Sequence, residues 1–349
     1  MLFDAIILTC CSRFQGGRSV SAIYHLLKGK RAIQTVQDAR LYQLEQFYGI
    51  HPTLRKQDLD QLVSKLNMGD YLKLTNESTA LPMEKGRQWV KEHIDELPVN
   101  CFNGLLYSRS APIFQERLLL LIQTLTNSRM QNMTFIPVVD NPIVTEWVKR
   151  TFYMYRNEQE SFLNNLYAEL HLMLTHFKEW EASMFTDSLT GYQHYGWSSF
   201  QVSEVYGVNK QDVPLYKTAI VHRMMAIAKE KQVMFPLLAQ FLRELPNESK
   251  LSKSAKKTKI LLDNHFTAEN IADYRNLKLN TIYDHLVEIA LYDHNFPFSM
   301  YVNLAEQMEI KKAMQTTLTY KLKDIKEAVD DSISYFQIRL VLAMERLPQ

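Results

Sequence analysis

The chain has 349 residues, 46% of them hydrophobic and 22% charged, enough for two or three domains and a sizeable core. A formal net charge of +2 gives no global attraction to nucleic acid, so any basic site must be local. Glycine occurs only ten times and no GxxxxGK[ST] or GxGxxG run is present. Phosphate cradles need backbone that can approach an anion closely, so ATPase and dinucleotide chemistry are disfavoured and a mostly helical chain is favoured.

Residues 1–11 are apolar, but Asp4 interrupts them and no basic segment precedes them. The run is too short to span a bilayer and no later run is both long and uncharged, so a cytoplasmic location with no membrane element is expected. Adjacent Cys10 and Cys11 lack the spacer of a zinc knuckle; with Cys101 they read as free thiols of a reducing compartment. Residues 18–28 place Val20, Ile23 and Leu27 on one helical stripe, and a second helix is expected over 34–48, stopped by Gly49 and Pro52. A third is expected over 54–66, where Leu59, Leu62, Val63 and Leu66 follow the i, i+3, i+4, i+7 rule. Residues 71–75 alternate like a strand, turn at Asn76, Glu77 and Ser78, and return through 79–83. Three helices and a hairpin predict a winged helix over residues 1–97.

Residues 98–246 read as a helical middle domain, rich in aromatic residues. Residues 118–122 are expected to form the core face of a helix, and residues 200–225 faintly repeat a helix-turn-helix with Gly207 at the turn. Pro214 falls inside its second helix, which favours a scaffold pair over a third nucleic-acid reader. Lys250, Lys253, Lys256, Lys257 and Lys259 follow with no carboxylate between them. Such a run is either a solvated tether or an arm that contacts phosphate.

Within residues 247–349, Thr267 is an N-cap for a helix over 268–275, with Asn270 at its third position. Asn276 suits a left-handed turn residue, Lys278 lies in the turn, and Asn280 is expected to cap a second helix over 281–290. Ile271 and Ala272 should pack against Ile282, Leu286 and Ile289. The opposite face would then carry Thr281, Asp284, Val287 and Glu288, with Tyr283 at its flank. Two carboxylates would be repelled by phosphate walls, so this helix is a poor base reader and only Thr267, Lys278, Asn280, Thr281 and Tyr283 remain suited to contact DNA. The N-terminal unit is better equipped. Gln57, Gln61 and Ser64 point away from the leucine stripe, Arg55 and Lys56 start the helix, Lys28, Lys30 and Arg31 occupy the preceding turn, and Lys73 and Lys85 belong to the wing.

Residues 250–291 resemble the helix-turn-helix domain at the C-terminal end of RecQ-type DNA helicases, and residues 320–343 resemble its closing segment. With the whole-chain layout, the sequence is similar to the YpbB family of bacterial helix-turn-helix proteins. Residues 25–50 and the helix, strand and wing after them are more loosely similar to the winged-helix part of RecQ helicases. The resemblance implies a RecQ-type helicase as partner and an accessory role in DNA repair and recombination; it supplies no catalytic residues. A mainly α fold is expected, with no cofactor, no metal and no catalysis: His171 and His176 stand about 140° apart on a helix, no HExxH or GxSxG occurs, and His222 and His285 read as satisfied core residues. A transcription regulator and a protein-interaction scaffold without direct DNA contact are the alternatives.

Overall fold

The computed structural model describes residues 1–75, 78–246, 251–293, 295–317 and 320–344. The fold is mainly α, with nineteen helices and one two-stranded sheet among the described residues. The apolar N-terminal run is helix α1 (Leu2–Phe14), with Leu2, Phe3, Ile6, Ile7, Leu8, Cys10 and Cys11 all buried. A helix apolar on nearly every side belongs in the middle of a core. Its opening turn is capped from far along the chain. Asp212, 2% exposed, accepts from the Leu2 and Phe3 backbone N–H groups at 3.3 and 2.8 Å, satisfying donors that have no intrahelical partner.

The N-terminal unit continues through α2 (Val20–Lys28), α3 (Ile33–Leu41) and α4 (Lys56–Met68), then β1 (Leu72–Leu74), β2 (Ala80–Pro82) and α5 (Glu84–His93). This is the winged-helix order. The second helix ends at Leu41 rather than at 48, because Gln43 turns the chain with φ 54° and a short 3-10 turn, Glu45–Phe47, follows. The strands pair antiparallel with Lys73 opposite Leu81. Asn76 and Glu77 of the expected turn lie outside the described residues. A lone bridge from Ser19 to Thr79 ties the start of α2 to the wing.

The middle of the chain holds α6 (Gly104–Tyr107), α7 (Ser110–Arg129), α8 (Pro142–Met154), α9 (Gln159–Leu174), α10 (Glu179–Thr186), α11 (Ser199–Tyr206), α12 (Val213–Glu230) and α13 (Pro236–Leu242). Leu118, Leu120 and Leu121 are buried on α7, as their spacing predicts. Beside them Arg117, also buried, donates to the Phe241 and Arg243 carbonyls and lies 4.6 Å from the Trp147 ring centroid; burial lowers it to about 10, still charged at neutral pH. The 200–225 repeat is a true helix pair, α11 and α12, with Gly207 left-handed between them. Pro214 sits in the first turn of α12, where a missing N–H is harmless, so it is no obstacle to the pair. Yet α12 is buried along most of its length and offers no face to a groove.

The C-terminal region is α14 (Lys253–Asp263), α15 (Ala268–Arg275), α16 (Leu279–Tyr292), α17 (Leu304–Thr317), α18 (Leu322–Glu327) and α19 (Tyr335–Met344). Apolar packing crosses both boundaries read from the sequence. One buried cluster runs from α1–α4 through Met184, Val202 and Val213 into α15, α16 and α19, while a second fills the space among α7, α8, α9, α12 and α13. At the seam, Gln37 donates to the Arg339 carbonyl and Arg40 to the Leu291 carbonyl, and the Arg40 guanidinium stacks 4.3 Å from the Tyr292 centroid.

Leu286→Ala, at a fully buried position on α16, should lower unfolding free energy by about 2–5 kcal/mol in urea titrations. His51 and His222 are buried neutral and held down at about 4, chiefly by desolvation. Their folded pKa lies below the unfolded one, so the unfolded chain binds more protons and stability falls as pH drops from about 6.5 toward 4. Each contributes on the order of 3 kcal/mol to that fall, and urea midpoints measured across this window should decline accordingly.

Candidate nucleic-acid interface

The helix-turn-helix forms where the sequence places it. Thr267 caps α15 by accepting from the Asn270 N–H at 3.2 Å, and Asn276 takes the left-handed conformation at φ 50°, ψ 50°. Ile271, Ala272, Ile282, Leu286 and Ile289 are buried together. The second helix starts earlier than expected: Lys278 is the N-cap of α16, without a side-chain bond, and Asn280 lies inside the first turn.

The expected outer face of α16 is turned to other uses. Val287 is fully buried, because α19 and α3 pack over the side that a free reader would show to a groove. Arg339 reaches Asp284 at 2.6 Å, and Phe336 stacks on Tyr283 with ring centroids 4.0 Å apart. Glu288 accepts from the backbone N–H and the hydroxyl of Ser252. The two carboxylates that argued against a groove are therefore internal fasteners, and Tyr283 is committed to its stack. Only the start of the helix is open, at exposed Lys278 and Asn280 and half-buried Thr281.

The lysine run is neither tether nor arm from residue 253 onward. It is α14, capped by Ser252, whose hydroxyl accepts from the Ala255 N–H at 3.0 Å, and it packs through Ala255, Thr258 and Leu262. Arg275 binds it from α15, donating to the Ser254 carbonyl and the Thr258 hydroxyl. Lys253, Lys256 and Lys257 are exposed and have no carboxylate partner among the described residues. The Lys259 charge is paired: its hydrogen bond to Asp293, with Asp263 also accepting, raises its amine above the ordinary lysine value. Lys250 lies outside the described residues.

In the N-terminal unit the outer face of α4 stays open. Gln57, Gln61, Ser64, Lys65 and Met68 are exposed, while Leu59, Leu62, Val63 and Leu66 face the core. Exposed Lys73 stands on the wing; Lys85 folds back to donate to the Gly69 carbonyl and lies 4.5 Å from the Tyr71 centroid. The basic turn and the start of α4 converge on two histidines. Burial, with Lys30 and Lys56 adding, lowers His25; burial also lowers His51, where the Asp58 carboxylate opposes it and Lys28 adds to it. Exposed Lys28, Lys30 and Arg31 have no carboxylate partner among the described residues. Arg55 is paired with Asp58, through two hydrogen bonds, and Lys56 with Asp60. Such surface pairs are weak and can be traded for phosphate. Lys65, two helical turns beyond Gln57 on the same side, is missing from the sequence reading; its spacing from Gln57 and Gln61 was the available signal.

Comparison with known proteins fits this geometry. A helix-turn-helix domain model matches residues 254–342. Protein YpbB of Bacillus subtilis (strain 168) is 31% identical over 346 residues, covering 98% of this chain and 97% of that one. The chain belongs to the YpbB family. No solved structure matches it. The helix-turn-helix of this YpbB-family chain is a domain type that suggests DNA binding. Among the described residues no group of His, Cys, Asp and Glu could hold a metal, and no helix is long and apolar enough to cross a membrane.

The Ser252 cap gives a direct check on how α14 is held. Ser252→Ala should destabilise the protein by about 1 kcal/mol and speed hydrogen exchange at the α14 amides first.

Proposed function

We propose that this chain is a non-catalytic, cytoplasmic DNA-binding accessory that works beside a RecQ-type helicase in repair and recombination. The observation that carries the DNA half is the contrast between two candidate reading helices. The α4 face is open, glutamine-bearing and flanked by Lys28, Lys30, Arg31, Lys65 and Lys73, whereas α16 is covered by α19 and α3. Lysines at such a face displace counterions from any duplex, and glutamines bond phosphate or adenine edges. The α14 lysines and the start of α16 supply a second set of phosphate contacts. Little in either surface selects one sequence, so grip without strong base preference is the reading, and a transcription regulator is disfavoured. The helicase half is supported by the similarity of residues 250–291 and 320–343 to the domain that ends RecQ-type helicases.

Binding of duplex and forked DNA, read by fluorescence anisotropy, should weaken steeply between about 50 and 200 mM salt. Lys65→Glu/Lys73→Glu should reduce affinity at least ~10-fold, each lost phosphate contact flattening the salt slope by about 0.9. Lys256→Glu/Lys257→Glu should show a smaller loss, and unrelated duplexes should bind alike. A flat titration of the wild-type chain at low salt would leave only the scaffold reading. Affinity purification from native cells should recover a RecQ-type helicase; its absence removes the partnership while leaving the DNA contact standing.

A further inference from the structure

A cavity of about 240 Å³ lies where the turn before α4 meets the first turns of α7 and α12. Its wall includes Lys217, His51, His222 and Thr53, and neither Asp nor Glu lines it. Lys217 is half-buried and forms no ion pair or hydrogen bond among the described residues. His51 is 7% exposed, and its Nδ1 is closed to solvent and has no hydrogen-bond partner among the described residues. Helices α7 and α12 both reach this wall within their first turns.

A half-buried ammonium without a counter-ion and an imidazole without a partner are both unfavourable to keep dry. Burial pulls Lys217 below the ordinary lysine value and keeps both histidines neutral. An anion in the cavity would give the ammonium its counter-charge. The volume decides its class, being below the roughly 300 Å³ at which pockets for drug-sized ligands begin. A phosphate group fits; a whole nucleotide does not.

We propose that this cavity is a phosphate-binding site, with the Lys217 ammonium as counter-charge and the His51 ring in its wall. The phosphate is either the free ion or one group of a DNA strand, since the turn that lines the cavity runs directly into α4. The site stands on the chemistry of its wall and does not require the α4 face to touch a duplex.

The test is calorimetric titration of the full chain with inorganic phosphate. The wild type should bind saturably, Lys217→Met should bind at least ~10-fold more weakly, and Lys229→Met, at an exposed lysine farther along α12, should match the wild type. In parallel, the His51 ring resonance of the wild type, assigned by its loss in His51→Gln, should shift on the same isotherm. An isotherm without saturation, wild-type affinity in a folded Lys217→Met, or a stationary His51 resonance at saturation each overturns the site. The wild-type resonance decides if the variant does not fold. Displacement of bound phosphate by a short duplex, followed by phosphorus NMR, assigns the site to a strand phosphate; retention assigns it to the free ion. A chain that binds phosphate but no DNA keeps this site and loses the α4 reading.

Discussion

A side chain that closes a contact inside the protein cannot also read a groove, and this constraint divides the surface of the molecule. Helix α16 has the sequence position of a recognition helix, yet Asp284 holds Arg339, Tyr283 stacks on Phe336, Glu288 caps α14 and Val287 is sealed. Helix α4 occupies the corresponding place in the N-terminal unit and turns only its leucine stripe inward. Two units with the same local architecture therefore have opposite availability.

Charge obeys the same division. Of the cations at the two ends, Lys259 is fixed by two aspartates, and Arg55 and Lys56 hold carboxylates on their own helix. The remainder of both clusters faces water without acidic company. A nearly neutral molecule can in this way keep local positive surfaces, because its carboxylates lie elsewhere on the chain.

What the sequence disclosed was what short-range chemistry decides. The Thr267 cap, the left-handed Asn276 and the buried stripe of α4 each depend on residues a few positions apart, and each formed as read. The lysine run misled because charge density alone suggests a tether, while the contacts that make it a helix come from Arg275 and Glu288, well along the chain. The fate of the α16 face was equally hidden: Arg339 lies 55 residues from Asp284, and helical periodicity carries no information about which later helix will cover a face. Lys217 and His51 were invisible for the same reason, since α12 and the turn before α4 meet only in the folded chain.

The distant cap on α1 constrains how the molecule is made. Synthesis runs from the amino end, and an early domain ordinarily folds while the rest is still being built. Here the most apolar helix of the N-terminal core has its opening donors answered by Asp212, so that cap cannot close until the chain has been made as far as α12. A premature stop ahead of α12 leaves the first turn of α1 without the Asp212 carboxylate.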